Sequence, residues 1–362
     1  MSHPQGILPS WLTHSCTPPR CAGTGLVHQL AGGAVSPGVL EVGVQDTPPG
    51  TSARLALRVR RASSDDGLAL VHGARGAMHL HRAADLPALA AALRPDDAAD
   101  LRKQSFGPFF PGLAGPVGAA LDEVAGAMAA VMADGVRRSK GDLSTALRGV
   151  VDARLGPWCA RCAVDHVDDA LFRLASLPAG LRLVSNGDGS ADFVAGPRPR
   201  LPDVTAARRE LVRRFLRYAG PTNRDGLAGW LGLSPAAAHR WWTLADVVPV
   251  EVAGRRLFLH PDDLSAARSA SRPRGVWLLP PNDPVLELGD RELLVPAAAD
   301  RKRVWRATAN PGVLLVDGAV GGTWRRRGGT VTVTPFGSLS ATHRRQLSAD
   351  TDGEVVVAES SA

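Results

Sequence analysis

The stretch that decides the fold is residues 204–260, VTAARRELVRRFLRYAGPTNRDGLAGWLGLSPAAAHRWWTLADVVPVEVAGRRLFLH. It begins with a basic segment whose apolar side chains recur at the spacing of one helix face. These apolar positions are Val204, Leu211, Phe215 and Tyr218. Gly220-Pro221 then stops the helix, because proline cannot continue the hydrogen-bond ladder.

Two further helices follow in the same stretch. Thr222 is a suitable N-cap for a helix from Asn223 to Leu231, which Gly232 ends. Ser234-Pro235 opens a third helix, Ala236 to Ala245, with serine as N-cap and proline at the first helical position. The short connection between them predicts a helix-turn-helix.

A β-hairpin completes the unit. Residues 247–252 and 256–259 are strand-like and flank Ala253-Gly254-Arg255, a turn with a basic tip. Three helices followed by a hairpin are typical of a winged helix, a fold that often binds DNA. Because a fold does not fix a function, the site must be argued separately.

The composition favours an anionic partner. The chain has 362 residues, which suggests two to four domains, and a formal net charge of +7. Nearly all of its cations are arginines, since only Lys103, Lys140 and Lys302 are lysines. Nucleic acid is the leading partner for such a chain. A GC-rich coding sequence is the alternative explanation, because alanine and glycine are enriched as well.

The sequence gives no sign of a membrane or secreted protein. It has no run of about 18 apolar residues and no basic-then-apolar order at its N-terminus. Its four cysteines favour a reducing compartment. We therefore expect a cytoplasmic monomer. Residues 1–24 are proline-rich and aperiodic, so we expect a disordered extension and give Cys16 and Cys21 no role.

Two units are predicted before the winged helix. In residues 25–115 we expect a helix near Ser52, strands at 67–71 and 77–80 around Gly73-Ala74-Arg75-Gly76, and a helix at 84–93. In residues 116–200 we expect helices at 117–132, 140–154 and 159–177, then a hairpin formed by 181–184 and 191–194. Helix, helix, helix and hairpin again match winged-helix order.

The remaining boundaries place the winged helix at residues 201–272 and a β-rich α/β portion at 273–362. In the latter, Asp317-Gly318 and Gly328-Gly329 are strong hairpin turns. The predicted fold class is α+β, with three tandem winged helix-turn-helix units followed by this C-terminal portion.

One cluster has the spacing of metal ligands. Cys159-Ala160-Arg161-Cys162 is followed by His166, and Trp158 is adjacent. Zinc is one interpretation, with a fourth ligand from elsewhere. Buried structural thiols are favoured because a lone Cys-x-x-Cys is a weak signal, and a redox pair is the third alternative. Phosphate-binding glycine loops, Gly-x-Ser-x-Gly and His-Glu-x-x-His are absent from the sequence.

Several arginines are candidates for phosphate contact. Solvated helix faces are the usual reason for such basic pairs, but here they accompany predicted winged helices and a hairpin that ends in three arginines. The candidates are Arg208, Arg240, Arg255, Arg325, Arg326 and Arg327.

Five segments resemble one known family when taken in order. They are residues 44–49 (VQDTPP), 75–80 (RGAMHL), 278–284 (LLPPNDP), 290–291 (DR) and 316–325 (VDGAVGGTWR). Together they resemble the AlkZ/YcaQ family of winged-helix DNA glycosylases, and the resemblance covers about residues 25–345. It implies three tandem winged helices that form a concave channel for duplex DNA, and excision of alkylated or crosslinked purines without a metal or cofactor.

The resemblance also implies an active site. The family's tripeptide is Gln-φ-Gln or Gln-φ-Asp, with φ apolar, and the matching positions here are Gly43-Val44-Gln45. Gln45 is retained and Gly43 replaces the first glutamine. We expect Gly43 either to leave room for a bulky adduct or to leave the site empty. Arg75 and His79 match the family's Arg-Gly-x-x-His segment and are expected to line the channel, where Arg75 is the candidate to hold a DNA phosphate.

The chemistry requires little acid catalysis, because a cationic alkylated purine is already a good leaving group. Gln45 can orient a water molecule through its carbonyl oxygen but is a poor base. Asp46 and His79 are the candidate bases. For Asp46, a turn or a helix cap is the favoured alternative. Two hypotheses follow: a monofunctional DNA glycosylase acting on damaged double-stranded DNA, or a non-catalytic DNA-binding protein. A compensating carboxylate in the channel would favour the first.

Overall fold

The computed structural model describes residues 38–62, 66–104, 116–269, 273–349, 351 and 353–358, together with the backbone of residues 15–16. Except for that pair, the expected N-terminal extension lies outside the described residues. The chain has a mixed α+β fold. Among the helices that the structure describes, none combines the length and apolar character needed to cross a membrane.

The helices and strands follow the chain in this order. The described helices are α1 (Ser52–Val59), α2 (Leu86–Ala92), α3 (Ala98–Lys103), α4 (Val117–Val131), α5 (Lys140–Ala146), α6 (Asp169–Ser176), α7 (Val204–Ala219), α8 (Arg224–Leu231), α9 (Pro235–Trp242), α10 (Leu264–Ser269), α11 (Pro284–Leu288), α12 (Arg291–Leu294), α13 (Ala298–Val304) and α14 (Ala341–Ala349). The described strands are β1 (Ser15–Cys16), β2 (Val44–Gln45), β3 (Leu68–His72), β4 (Met78–Arg82), β5 (Trp158–Cys159), β6 (Val164–Asp165), β7 (Leu181–Ser185), β8 (Ala191–Ala195), β9 (Val248–Val252), β10 (Arg255–Leu259), β11 (Val276–Leu279), β12 (Gly312–Val316), β13 (Ala319–Arg327), β14 (Thr330–Pro335) and β15 (Glu354–Val357).

One five-stranded sheet joins the first two predicted units. Its strand order is β2-β4-β3-β7-β8, and every pairing is antiparallel. The two units meet where Leu70 pairs with Leu183. Apolar side chains of α4 and α6 pack beneath this junction in one buried cluster. Pattern alone did not predict the shared sheet, because strand pairing between distant segments leaves no local signal in the sequence.

The third unit has the predicted order of three helices and a hairpin, α7, α8, α9 and β9–β10. Ser234 caps α9 as expected, since its Oγ accepts the N–H of Ala237 at 3.2 Å. The prediction for α8 was wrong by one residue. Asn223 is the N-cap and accepts the N–H of Gly226 at 2.9 Å, because the backbone of Thr222 is bonded to Phe258 of the hairpin.

Two helix predictions in the second unit were too long. The helix expected from residue 140 to residue 154 ends at Ala146, and Gly149 then adopts a φ of +73°. The helix expected over residues 159–177 begins only at Asp169. The preceding residues instead form the β5–β6 hairpin, and buried Asp168 caps the helix by accepting the N–H groups of Ala170 and Leu171.

The C-terminal portion is a five-stranded mixed sheet in the order β11-β12-β13-β14-β15, with only the last pair parallel. The expected hairpin turn at Asp317-Gly318 is present, with both residues at positive φ. This sheet is fastened to α1 by a buried ion pair between Arg60 and Asp283, at 2.8 Å and with neither side chain exposed. The fastening matters for function because Asp283 directly precedes α11, which lines the main cleft.

Candidate active site

The main cleft has a volume of about 720 Å³ and lies where three parts of the chain meet. One wall comes from the N-terminal sheet and its connecting turn, with Gln45, Arg75 and Ala77. A second comes from α8 and the hairpin of the third unit. The third comes from the segment around α11 and α12 and from Trp305. The cleft therefore exists only in the assembled molecule.

Gln45 reaches this cleft from the end of β2. The strand is held to β4 by pairing of Gln45 with His79, so the side chain position is fixed by the sheet. Its Nε2 donates to Thr47 Oγ1 at 3.3 Å, and its Oε1 accepts from Arg75 Nη2 at 3.2 Å. The amide is thus oriented from both ends, which is the arrangement needed to place a water molecule.

Arg75 is the organising cation of the cleft. Its backbone is left-handed, with φ of +57° in a 3-10 turn, a conformation that is uncommon for residues other than glycine and that clusters at functional sites. The guanidinium donates to the Trp230 carbonyl, to Gln45 Oε1 and, at 2.8 Å, to Glu287 Oε1. It therefore joins all three walls.

Glu287, in α11, is the functional residue that sequence reasoning missed. Its side chain is 9% exposed, lines the cleft and shares the Arg75 guanidinium with Gln45. Burial acts to raise the pKa of Glu287, but interaction with His79 and the charge of Arg75 outweigh it, so the pKa lies below its ordinary value. The carboxylate is ionised at neutral pH. The available signal was its place three residues after the family-like segment 278–284.

His79 lies behind the cleft rather than on its surface. The residue is fully buried, and its Nδ1 is 3.0 Å from the Ala77 carbonyl oxygen. Its Nε2 is 3.8 Å from Glu287 Oε2, longer than a hydrogen bond but close enough for an electrostatic effect. From this position His79 can orient Glu287, but it cannot contact a substrate in the cleft.

Asp46 is occupied by backbone donors. It is 3% exposed, and its carboxylate accepts the N–H groups of Gly50 at 2.5 Å, Thr51 at 3.1 Å and Ala53 at 3.0 Å. These donors belong to the approach and first turn of α1. The geometry is that of the helix-capping alternative, since both oxygens are engaged away from the cleft.

Gly43 leaves no additional room, so the expectation of space for a bulky adduct was wrong. The residue is buried with φ of +84°, and a Cβ there would fall onto the imidazole ring of His81. His81 is itself buried, and desolvation, followed by the charges of His79 and Arg214, lowers its pKa to about 3. A neutral imidazole therefore fills the space that a side chain at position 43 would enter.

Restoring the family glutamine should therefore harm the protein. We expect Gly43→Gln to lower the free energy of unfolding by about 2–4 kcal/mol, since it overpacks the His81 site and forces a side chain into left-handed backbone. Urea unfolding of the wild type and the variant measures this. The matched control is Gly187→Gln, at φ of +84° with open space around it. An equal loss in both variants would contradict the overpacking by His81.

Three arginines expected at DNA are paired within the protein. Arg208 forms an ion pair with Asp96 at 2.8 Å and lies over the Trp241 ring. Arg240 lies within 3.1–3.6 Å of Asp96, Asp97 and Asp100.

Arg255 is held by Asp290 at 2.8 Å. Arg208 and Arg240 fasten the third unit to the start of α3, whereas Arg255 fastens the hairpin to α12. The sequence pattern did not predict these ion pairs, because each aspartate lies far from its arginine along the chain.

A second cleft, of about 590 Å³, is the arginine groove, which we define by Arg58, Arg61, Arg274 and Arg326. It lies between α1 and the C-terminal sheet, and no carboxylate is among the described residues that line it. Of the predicted arginine triplet, Arg326 lines this groove, Arg325 bonds the Ala309 carbonyl at 3.0 Å, and Arg327 is exposed at the end of β13.

The main cleft is electrically mixed. Its walls carry Arg75, Arg255 and Arg291 together with Asp225, Glu287 and Asp290. Arg291 packs over the Trp305 ring at 5.0 Å from its centre. The ionised Glu287 would attract a cationic ligand, whereas the exposed Arg291 would attract an anionic one.

The structure also brings together the three residues that have the spacing of metal ligands. Cys159, Cys162 and His166 each offer a ligand atom, and these atoms lie within 4.8 Å of one another. The two cysteines are not joined by a disulfide. The neighbouring Cys162 backbone, followed by the His166 side chain and the Arg161 backbone, lowers the pKa of the Cys159 thiol to about 7.

A mixed fold with a cleft that pairs an oriented amide with a buried carboxylate is compatible with N-glycosidic bond hydrolysis, and the family comparison agrees. Residues 49–353 match the family model "DNA glycosylase AlkZ-like", so the chain belongs to the AlkZ-like DNA glycosylase family. The matched range includes Arg75, His79 and Glu287 and begins just after Gln45.

A solved structure has the same fold. The chain is similar to the Streptomyces sahachiroi DNA glycosylase AlkZ, with a TM-score of 0.69 and 19% sequence identity over 95% of this chain and 100% of that chain. At this identity the likeness establishes the fold. A search of curated proteins finds no match.

Proposed function

We propose that the protein hydrolyses the N-glycosidic bond of cationic alkylated purines in damaged double-stranded DNA. One observation carries the proposal: the ionised Glu287 carboxylate shares Arg75 with the Gln45 amide at the floor of the main cleft. A carboxylate at this place compensates for the glutamine that Gly43 replaces. We also propose that the fold contains three winged helices, at residues 25–115, 116–200 and 201–272. The protein is proposed to act as a monomer in the cytoplasm.

The reaction assigns a separate task to each side chain. The bond from C1′ to the purine nitrogen breaks, and its electron pair leaves with the base, whose positive charge is thereby neutralised. Glu287 stabilises the oxocarbenium character that develops at C1′ and accepts a proton from the attacking water. Gln45 orients that water, and the water oxygen forms the new bond to C1′. Arg75 holds both groups, while buried His79 positions Glu287.

We propose that DNA is contacted by arginines that line the two clefts or lie beside them. In the main cleft this is Arg291, and beside it they are the residues of the arginine groove together with Arg327. Because the Glu287 carboxylate engages Arg75, we propose that Arg75 positions Gln45 and Glu287 rather than a phosphate. Because Arg208, Arg240 and Arg255 are engaged by carboxylates, we propose that they stabilise the interfaces of the third unit instead. Asp46 is proposed to cap α1.

The test is base release from a duplex that contains N7-methylguanine, scored as abasic sites. We expect Gln45→Ala to lower the single-turnover rate by about 10–100-fold while duplex affinity stays unchanged, because water positioning is lost and phosphate contacts remain. Thr47→Val removes the 3.3 Å partner of the amide and keeps the glutamine itself, so its rate should fall less than that of Gln45→Ala.

The alternative is a DNA-binding protein without catalysis. Salt-sensitive duplex binding by the wild type, with no release of any alkylated base above the protein-free reaction, would support that alternative and overturn the proposed hydrolysis. Release that is undiminished in Gln45→Ala would retain hydrolysis and remove Gln45 from the mechanism.

A further inference from the structure

Beyond the cleft, the β5–β6 hairpin has the construction of a metal site. Cys159 is buried at the end of β5, Cys162 is exposed in the following turn, and His166 comes directly after β6. The hairpin register pairs Cys159 with Val164, which brings the histidine back beside the thiols. The three ligand atoms lie within 4.8 Å of one another. A tetrahedral zinc ion holds sulfur and nitrogen donors roughly 3.5–4 Å apart, so only a small contraction is needed.

The turn between the cysteines presents sulfur as a ligand. The Cys159 carbonyl accepts the N–H groups of Cys162 at 3.2 Å and Ala163 at 2.8 Å, and Ala163 has a φ of +53°. This tight turn carries both thiols on one short loop that is closed by backbone hydrogen bonds. The thiolate is the form of cysteine that binds metals.

The histidine is oriented as a ligand as well. His166 Nδ1 lies 2.7 Å from the Val167 carbonyl oxygen. Since a carbonyl only accepts, this hydrogen bond assigns the ring proton to Nδ1 and leaves the Nε2 lone pair for a metal ion. Val167 and Asp168, the next two residues, are buried, so the ring is attached to a firmly packed backbone.

From this geometry we propose that Cys159, Cys162 and His166 form a structural zinc site. Two thiolates and an imidazole are donors that suit zinc, and two cysteines are too few for an iron–sulfur cluster. No further histidine, cysteine, aspartate or glutamate in the described part of the chain joins the group, so we assign three protein ligands to the ion. The zinc assignment does not depend on whether the main cleft has the proposed glycosylase activity.

The position of the site gives it a structural task. The hairpin leads into α6 through Asp168, the buried cap of that helix. Further along α6, Arg173 Nη1 donates to the Gly76 carbonyl at 3.3 Å, directly beside Arg75. A metal ion would hold the hairpin against the start of α6, and through that helix it would support the turn that carries the organising arginine.

Elemental analysis of the full chain, purified under reducing conditions and desalted after addition of zinc sulfate, tests the site. We expect about one zinc ion per chain in the wild type, and retention lower by about tenfold or more in Cys159→Ser, Cys162→Ser and His166→Asn. The matched control is Ala160→Ser, at an exposed position of the same turn, which should retain the metal. Circular dichroism shows whether each variant is folded.

Cobalt titration of the wild type supplies a second readout that does not depend on the variants. Two thiolate ligands give a sulfur-to-cobalt charge-transfer absorption, which zinc should abolish by displacement. Absence of both bound zinc and this absorption in the reduced wild-type protein would overturn the site. Zinc retention in the three ligand variants equal to that of the wild type would also overturn the site. A Cys159–Cys162 disulfide in protein isolated with its thiols trapped by alkylation would do the same.

Discussion

Glu287→Gln should lower the single-turnover rate of alkylpurine release by about 10²–10⁴-fold, the range typical of losing a general base. The substitution keeps the size of the side chain and its ability to accept from Arg75, but removes the negative charge that the oxocarbenium ion and the attacking water require. The measurement is abasic-site formation with enzyme in excess over an N7-methylguanine duplex. Duplex affinity, measured in parallel, should be unchanged.

The matched control for Glu287 is Glu292→Gln, since Glu292 is 62% exposed and forms an ion pair with Arg255 at 3.3 Å. This variant should retain the wild-type rate. Equal rates for Glu287→Gln and the wild type would remove Glu287 from the mechanism, even if base release itself is observed.

The pH profile supplies an independent readout on the same residue. Because the folded pKa of Glu287 is depressed, the carboxylate persists as the pH falls to the usual glutamate value of about 4.3 and is lost only below it. The wild-type rate should therefore decline at lower pH than an ordinary glutamate would give, after subtraction of protein-free depurination. In Glu287→Gln this decline should be absent.

Asp283→Ala should lower the free energy of unfolding by about 3–5 kcal/mol, which is the usual cost of leaving one partner of a buried ion pair without the other. Arg60 would keep its hydrogen bond to the Ala56 carbonyl, at 2.9 Å, but would lose its buried counter-charge. Urea denaturation measures the change. Since Asp283 also positions α11, base release should fall together with stability.

Two comparison variants separate the ion pair from the helix cap. Asp203 caps α7 from an exposed position, accepting Ala206 N–H at 2.8 Å, so Asp203→Ala measures the cost of a cap alone, about 0.5–2 kcal/mol. Arg60→Met combined with Asp283→Leu should recover much of the stability, because apolar side chains replace both charges. Equal losses in Asp283→Ala and Asp203→Ala would show that the buried pair contributes nothing beyond the cap.

The local elements of the third unit were predictable because their signals lie within a few residues of one another. Ser234-Pro235 marks the start of α9, Gly232 ends α8, and Ala253-Gly254 forms the hairpin turn. The prediction was wrong where a tertiary contact outweighed the local preference of a residue. Thr222 is a good cap by its chemistry, but its backbone is bonded to the hairpin, so Asn223 takes that position.

The candidate site was predictable only in part. Gln45 and Arg75 were identified through family-like segments, and both line the main cleft. Glu287 was missed because a glutamate in a short helix carries no mark of function until its partners are known. Those partners, Arg75 and His79, lie more than 200 residues earlier in the chain. The metal-ligand cluster was recognised from its spacing, but the hairpin that gathers it had been predicted as helix.

The sequence by itself determined the mixed α+β class, the helix-turn-helix with its hairpin, the absence of an apolar stretch long enough to cross a membrane, and the family to which the chain belongs. Such properties depend on the period of apolar residues, on turn chemistry and on ordered motifs, all of which are local. Only the tertiary structure decided which charges are partners. It placed Arg208, Arg240 and Arg255 in internal ion pairs and gave Glu287 to the cleft. Electrostatic energy depends on distance in space and on burial, and neither quantity is recorded in the order of residues along the chain.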